Sequence, residues 1–189
     1  MPSPAASTAA ARNVFRRFRR NRRGSAAIEF ALVAPVFFAL LFAIIETAIV
    51  FFASQVLETI TQNSARQVMT GQAQGANYAA WNNFRDGVVC AQIPVLFTCA
   101  NIGVDVQSSS SFANVVLPNH IDAGGNFDPS TLGYNPGGSC DTVVVQLFYQ
   151  WPLFVTGLGY NIANLSGNKR NLVATAAFRN EPYNGACPS

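Results

Sequence analysis

Hydrophobic and polar positions along the chain fall into distinct regimes. From Phe30 to Ile45 (FALVAPVFFALLFAII) no residue is charged, and the apolar run resumes after Glu46 as Thr47 to Ala53. These 24 positions hold one ionisable group. As a helix rising about 1.5 Å per residue they extend roughly 36 Å, enough to cross a bilayer. The core helix of a soluble domain would need a polar face, and this segment has none. Pro35 would cost about 3 kcal/mol in an exposed helix interior, but membrane helices tolerate it where neighbours re-satisfy the freed carbonyl. After Ala53 the sequence turns polar yet keeps helical spacing. Leu57, Ile60, Ser64 and Val68 form a narrow stripe, Gln55, Glu58, Gln62 and Arg66 lie elsewhere, and no Gly or Pro intervenes before Gly71. One helix from about Ser25 to Thr70 is therefore predicted, roughly 69 Å long, half in lipid and half packed on a domain.

Further along, Gly71 to Gly75 (GQAQG) reads as a turn and Ala76 to Ala91 as a second helix, with Tyr78, Trp81, Phe84 and Val88 at spacings of three and four. Trp81 and Phe84 read as core aromatics ahead of a partner-binding patch. Three stretches suit strands: Ile102 to Gln107, Thr142 to Trp151 and Asn171 to Phe178, the last two ending at Pro152 and at Glu181-Pro182. An antiparallel sheet packed on the long helix covers one face of each, so the expected class is α+β, with strand order left open. Leu117 to Ser139 holds three prolines and five glycines. Such a long loop in a compact domain tends to be functional or mobile. Its default reading is a plain surface loop, with a subunit contact as the alternative. Asp122, Asn126 and Asp128 within it lack the ligand spacing of an EF-hand.

Charge sharpens this picture. The chain has 189 residues, half of them hydrophobic and 11% charged, too apolar for disorder. Its net +3 is unevenly spread. Seven of the twelve basic residues (Arg12, Arg16, Arg17, Arg19, Arg20, Arg22, Arg23) precede Gly24, where there is no acid, leaving five basic against nine acidic residues, formally −4, from Ser25 onward. Positive charge next to a span holds that end in the cytoplasm and puts the C-terminal body outside. A signal peptide would need a shorter apolar region and a small-residue cleavage site after it, a mitochondrial presequence would not be followed by a span, and nucleic-acid binding is superfluous for arginines with a topological role.

The junction reads Arg22-Arg23-Gly24-Ser25-Ala26-Ala27-Ile28-Glu29-Phe30. A lone carboxylate at the entry of an apolar helix is costly in lipid and needs a partner or a role. Cleavage after Gly24 would make Ser25 a new α-amino terminus with Glu29 as its fifth residue. Amine and carboxylate of adjacent molecules could then neutralise each other at membrane depth and set the axial register of subunits. In the alternative, Gly24 is a flexible joint and Glu29 sits at headgroup level near the positive end of the helix dipole. Glu46, near the outer interface, reads as facing water or another helix.

The basic leader, Gly24, a glutamate at the fifth position after it and an apolar helix resemble the type IV prepilin cleavage motif. Within that class, RRGSAAIEFALVAPVFFALLFAIIETAIVFFASQVLETITQNSARQVMTGQ is similar to the TadE-like minor pilins, or pseudopilins, of tight-adherence pili. The likeness is strongest over residues 22 to 72 and looser through FRDGVVCAQIPVLFTC, VDVQSSSSF, VVVQLFYQWPLF and NLVATAAFRNEP. It implies a pilin-like fold, cleavage at Gly24-Ser25 by an integral-membrane prepilin peptidase, an assembly role for Glu29, and as partners the membrane, other pilins and minor pilins, and the pilus assembly platform. The division it suggests is a leader over 1–24, a long helix over 25–70 with its span at about 30–53, and an extracytoplasmic domain over 71–189, in a bacterial inner membrane with that domain periplasmic.

The four cysteines, Cys90, Cys99, Cys140 and Cys187, all fall on the oxidising side and allow three pairings. Cys90 with Cys99 would close a Pro-containing turn. Cys140 with Cys187 would tie the C-terminal tail to the sheet, stabilising by about 3 to 4 kcal/mol on chain-entropy grounds. Zinc is disfavoured because there is no CxxC and His120 is the one histidine. An enzyme is not expected: clustered carboxylates and a phosphate-binding glycine loop are missing, and Ser108 to Ser111 read as a serine-rich strand end. No cofactor and no nucleic-acid partner is expected. The reading is therefore a minor pilin or pseudopilin that initiates or regulates fibre assembly. An uncleaved single-pass protein with an outer interaction domain, or a ligand-binding adhesin module on the fibre, are the alternatives.

Overall fold

The computed structural model describes residues 24–76, 78, 80–155, 160–183, 185 and 187. The chain divides into two units at the Ile44–Ile45 junction, and one helix, α1 (Ser25–Met69), runs through both. In the first unit the described residues are Gly24 and the helical stretch to Ile44, whose Phe30, Leu32, Val33, Leu40 and Ile44 side chains are all exposed. Its most apolar window has a mean hydropathy of 2.6 and buries none of its residues, as a helix solvated by lipid would. Pro35 sits inside it without ending the helix.

The second unit has its own hydrophobic core. From Glu46 onward α1 turns Val50, Ala53, Leu57, Ile60, Ala65 and Val68 inward, and Thr61 and Ser64 of the same face are buried with them. The inward hydroxyl of Thr61 is satisfied by the carbonyl of Leu57 (2.8 Å), which lets a polar residue sit in the core without an orphan donor. Gly71, at φ +79°, ends α1 in the left-handed region that L side chains avoid. The ring of Tyr183 lies so close over it that a Cβ there would meet the ring at 2.6 Å.

The strands are β1 (Ile102–Ser109), β2 (Thr142–Pro152) and β3 (Lys169–Arg179), in spatial order β1-β2-β3 and antiparallel throughout. Because side chains alternate across a strand, register sorts them cleanly. The rows Ile102–Tyr149–Leu172, Val104–Leu147–Ala174 and Val106–Val145–Ala176 join the core with α1. On the opposite face, Asp105, Gln146 and Thr175 stand in one row, and the Gln146 amide donates to Thr175 Oγ1 (3.1 Å). Class and helix-plus-sheet design are as the pattern predicts. Each strand is longer by one to three residues than expected, because the pairing continues past the apolar alternation.

Two expectations fail. Residues 71–75 are not simply a turn: after Gly71, Gln72–Gly75 form one helical turn, α2. The second helix does not begin at Ala76. Ala80 is extended (φ −154°, ψ 165°), and the helix starts as α3 (Trp81–Phe84), widening to a π-helical turn over Arg85–Val89 and a 3-10 turn over Cys90–Gln92; Asn77 and Ala79 lie outside the described residues. The cause is Tyr78, whose ring meets Phe84 edge-on at 5.8 Å and lies against Gly87, where an added Cβ would come within 2.6 Å of its hydroxyl. Residues 78 and 87 of one straight helix would be separated by roughly 13 Å of rise, so that contact requires a break between them.

Leu147 is fully buried midway along β2. Leu147→Ala should cost about 2–5 kcal/mol in chemical denaturation of the detergent-solubilised chain, whereas Val173→Ala, on the half-exposed outer face, should change the midpoint little.

Candidate functional site

At its start, α1 places the Gly24–Ser25 peptide at the helix boundary and Glu29 four residues on, on an exposed surface and about 6 Å up the axis. Among the described residues, none comes within 4 Å of where a Cβ on Gly24 would stand. The first turn of α1 contains no acidic residue. Glu29 is thus one turn beyond the positions where the dipole stabilises negative charge most, which weakens the dipole as the reason for its presence. The arginines expected as a topology signal, Arg16, Arg17, Arg19, Arg20, Arg22 and Arg23, lie outside the described residues.

Glu46 departs most from expectation. It faces neither water nor another helix: it is 7% exposed and receives backbone N–H groups from the loop that follows β2. Its Oε1 accepts from Phe154 N (2.5 Å) and Val155 N (3.2 Å), and its Oε2 from Val155 N (3.1 Å). The neighbouring Thr47 hydroxyl is hydrogen-bonded to the Tyr160 hydroxyl. The chain needs this acceptor because Pro152 ends the ladder and Leu153 N makes the last bond on that side, to Asn168 O (2.9 Å). The next two N–H groups, of Phe154 and Val155, lie beyond the ladder and take Glu46 as their acceptor instead. A lone carboxylate in an apolar run was the available signal, but its partners, more than a hundred residues away, are backbone groups that leave no mark in the sequence.

The loop between β1 and β2 is not a plain surface loop. His120 (3% exposed) is sandwiched on the outer face of the sheet, its ring 4.8 Å from that of Phe148 and 6.3 Å from that of Phe127. Its Nδ1 meets Thr131 Oγ1 at 2.7 Å, and its Nε2 stands 3.5 Å from Oδ2 of Asp105 (1% exposed). Asp105 Oδ1 accepts from Gly133 N (2.7 Å) and Gln107 Nε2 (2.9 Å). Tyr134 then continues as a short parallel bridge to Val106, and burial raises its phenol pKa. Asp, His and Thr in sequence suggest a catalytic relay, but both ionisable groups are closed to solvent, and what they do here is fasten the loop to β1. Asp122 and Asp128 are engaged locally. Asn126 N donates to Asp122 (2.8 Å), and Ser130 Oγ (2.6 Å) and then Ser130 N (2.9 Å) donate to Asp128; these hydrogen bonds hold both carboxyls below the ordinary 3.8.

Cys90 is bonded to Cys99 and Cys140 to Cys187, each pair with Cα atoms 5.5 Å apart. Asp86 lies close to the first pair, but the two sulfurs are spent on each other and the carboxylate is taken by Arg85 (2.8 Å), whose hydrogen bond holds its pKa low. A shallow cleft at the Pro152 end of the sheet is lined by Trp81, Phe127, Tyr149, Gln150 and Lys169 among others.

Compared with known families, residues 24–66 match the model described as TadE-like protein. Over that stretch, less than half of the chain, it is similar to TadE-like proteins. The match begins at Gly24, contains both Glu29 and Glu46, and ends within α1 before the sheet domain. The apolar N-terminal helix that holds this segment is consistent with anchoring in a membrane. No curated protein and no solved structure matches the chain.

Two outcomes follow. Glu46→Ala should deprive Phe154 and Val155 of their acceptor, cost about 1–3 kcal/mol and speed amide exchange at those two residues, while Glu46→Gln, keeping one acceptor oxygen, should fall between. For the loop, depressed carboxyl pKa values mean that the stabilisation is complete above 3.8 and is lost as pH falls through the lower folded values. Amide protection of Asn126 and Ser130 should therefore decline below about pH 4, ahead of any loss at Val145.

Proposed function

We propose that this chain is a minor pilin or pseudopilin of a tight-adherence pilus. It is inserted as a prepilin with its arginine-rich end in the cytoplasm and its disulfide-bonded domain in the periplasm, trimmed between Gly24 and Ser25 by a prepilin peptidase, and used to initiate or regulate fibre assembly. The observation that carries this reading is the Gly24–Ser25 boundary itself. Gly24 stands at the start of an unburied apolar helix, Glu29 lies one turn on, and all of it falls within the segment that matches the TadE-like model. Cleavage there exposes an amine. In a bundle of such helices, the amine of one subunit and Glu29 of the next neutralise each other away from water, and a mispaired register would leave both charges in lipid. The chain is the peptidase's substrate, and its partners are the other pilins and the assembly platform.

The membrane-extracted protein, made with and without an active prepilin peptidase, tests the reading by intact mass. Loss of residues 1–24 is expected; an unchanged mass beside active peptidase would leave an uncleaved single-pass protein as the answer. Removing one partner of a buried ion pair costs about 3–5 kcal/mol. Glu29→Ala should thus insert normally and yet reduce assembled fibres to background, and normal fibres would remove Glu29 from assembly.

A further inference from the structure

We propose that the outer hydrocarbon boundary of the membrane lies at Glu46, not at Ala53 where the apolar run ends, and that the folded unit rests directly on lipid through Phe51, Phe52 and Phe154. The inference adds a surface and a partner, the phospholipid bilayer, to the reading above, and it rests only on the membrane insertion of α1.

Three observations converge. The first is the Glu46 latch. Irregular backbone is tolerated at hydrocarbon depth only where it is buried in protein, yet Phe154, whose N–H is bonded to Glu46, is 85% exposed. Lipid tails therefore end no higher than this level. The second is length. From Ser25 to Ile45 there are 21 helical residues, about 32 Å of rise, against a hydrocarbon core of about 30 Å. Continuing the span to Ala53 would add about 12 Å of excess.

The third is the distribution of apolar surface beyond the boundary. Val50 and Ala53 are consumed by the core, but Phe51 and Phe52 are 68% and 62% exposed on the same two turns of α1, and Ile49 is partly so. They stand about 5 to 9 Å beyond Glu46 along the axis, the depth of the headgroup layer, where aromatic rings are favoured. Phe154, itself exposed, is held at the level of Glu46 by the bond to its carboxylate. Phe51 and Phe52 belong to the same helix as the unburied segment that ends at Ile45, and that continuity of apolar sequence assigns lipid as the occupant.

The test places the photoreactive p-benzoylphenylalanine at Phe154, at Phe38 within the span, or at Phe112, in the full-length protein reconstituted in phosphatidylcholine–phosphatidylglycerol vesicles. Phe112 is also exposed but follows the Ser109 end of β1, which pairs with Thr142 at the opposite end of the sheet from Pro152. After illumination, intact mass reports a phospholipid adduct. Adducts at Phe38 and Phe154 with none at Phe112 are expected. An adduct at Phe38 alone overturns the seat while leaving the span intact, and no adduct at any position overturns membrane insertion itself. Capture of a second copy of the chain at Phe154 in place of lipid would make this surface a subunit contact and also overturn the proposal.

Discussion

The second unit depends on a carboxylate that meets two backbone amides. Glu46 is buried within an otherwise apolar stretch of helix, and Phe154 and Val155 follow the proline that ends their strand and so leave its ladder. Each side is an unsatisfied polar group without the other, and unsatisfied groups in an apolar setting cost more than most contacts gain. Together they fix which stretch of α1 meets the end of β2. At the far end of the unit, Glu181 N donates to the carbonyl of Met69 (2.9 Å), just beyond the strand that pairs with Thr142. Between these points 23 residues of helix rise about 35 Å and ten residues of strand about 33 Å, so the core rows of β2 and the inward stripe of α1 stay in step.

The outer face of the sheet poses a different problem. Three strands have two faces and one helix covers only one of them. The remaining face is partly polar, with Asp105, Gln146 and Asn171 buried. The long β1–β2 connection solves this by folding back over β1 and β2: Phe127 and His120 pack on Phe148, and Asp105 gathers Gly133, Gln107 and His120 around its two oxygens. A loop rich in glycine and proline can make that return because it needs no ladder of its own. β3 is left with Val173, Thr175 and Ala177 facing outward.

What the sequence discloses follows from the range of each interaction. The long helix, its inward stripe and the three strands are periodic patterns and were legible. The TadE-like resemblance rests on local sequence, and residues 24–66 match that model. The start of the second helix was misread because a contact from Tyr78 to Gly87 overrides helical spacing. The covering role of the loop was missed because it rests on single residues, His120 and Asp105, whose composition says nothing of burial. Glu46 stood out, but its partners are main-chain amides, and any residue types could have supplied them.

The two ties at the ends of the second unit have a mechanical consequence. α1 and β2 lie lengthwise against each other with opposite chain directions, from Glu46 beside the Pro152 end to Met69 beside the Thr142 end. A force drawn along the helix at Ile45 would load the packed rows between them in shear, all at once. It would not open them one after another as a zipper opens. Shear distributes load over every row, so the force needed to part them grows with the number of rows. A subunit built this way can bear tension along its helix with a core of ordinary size.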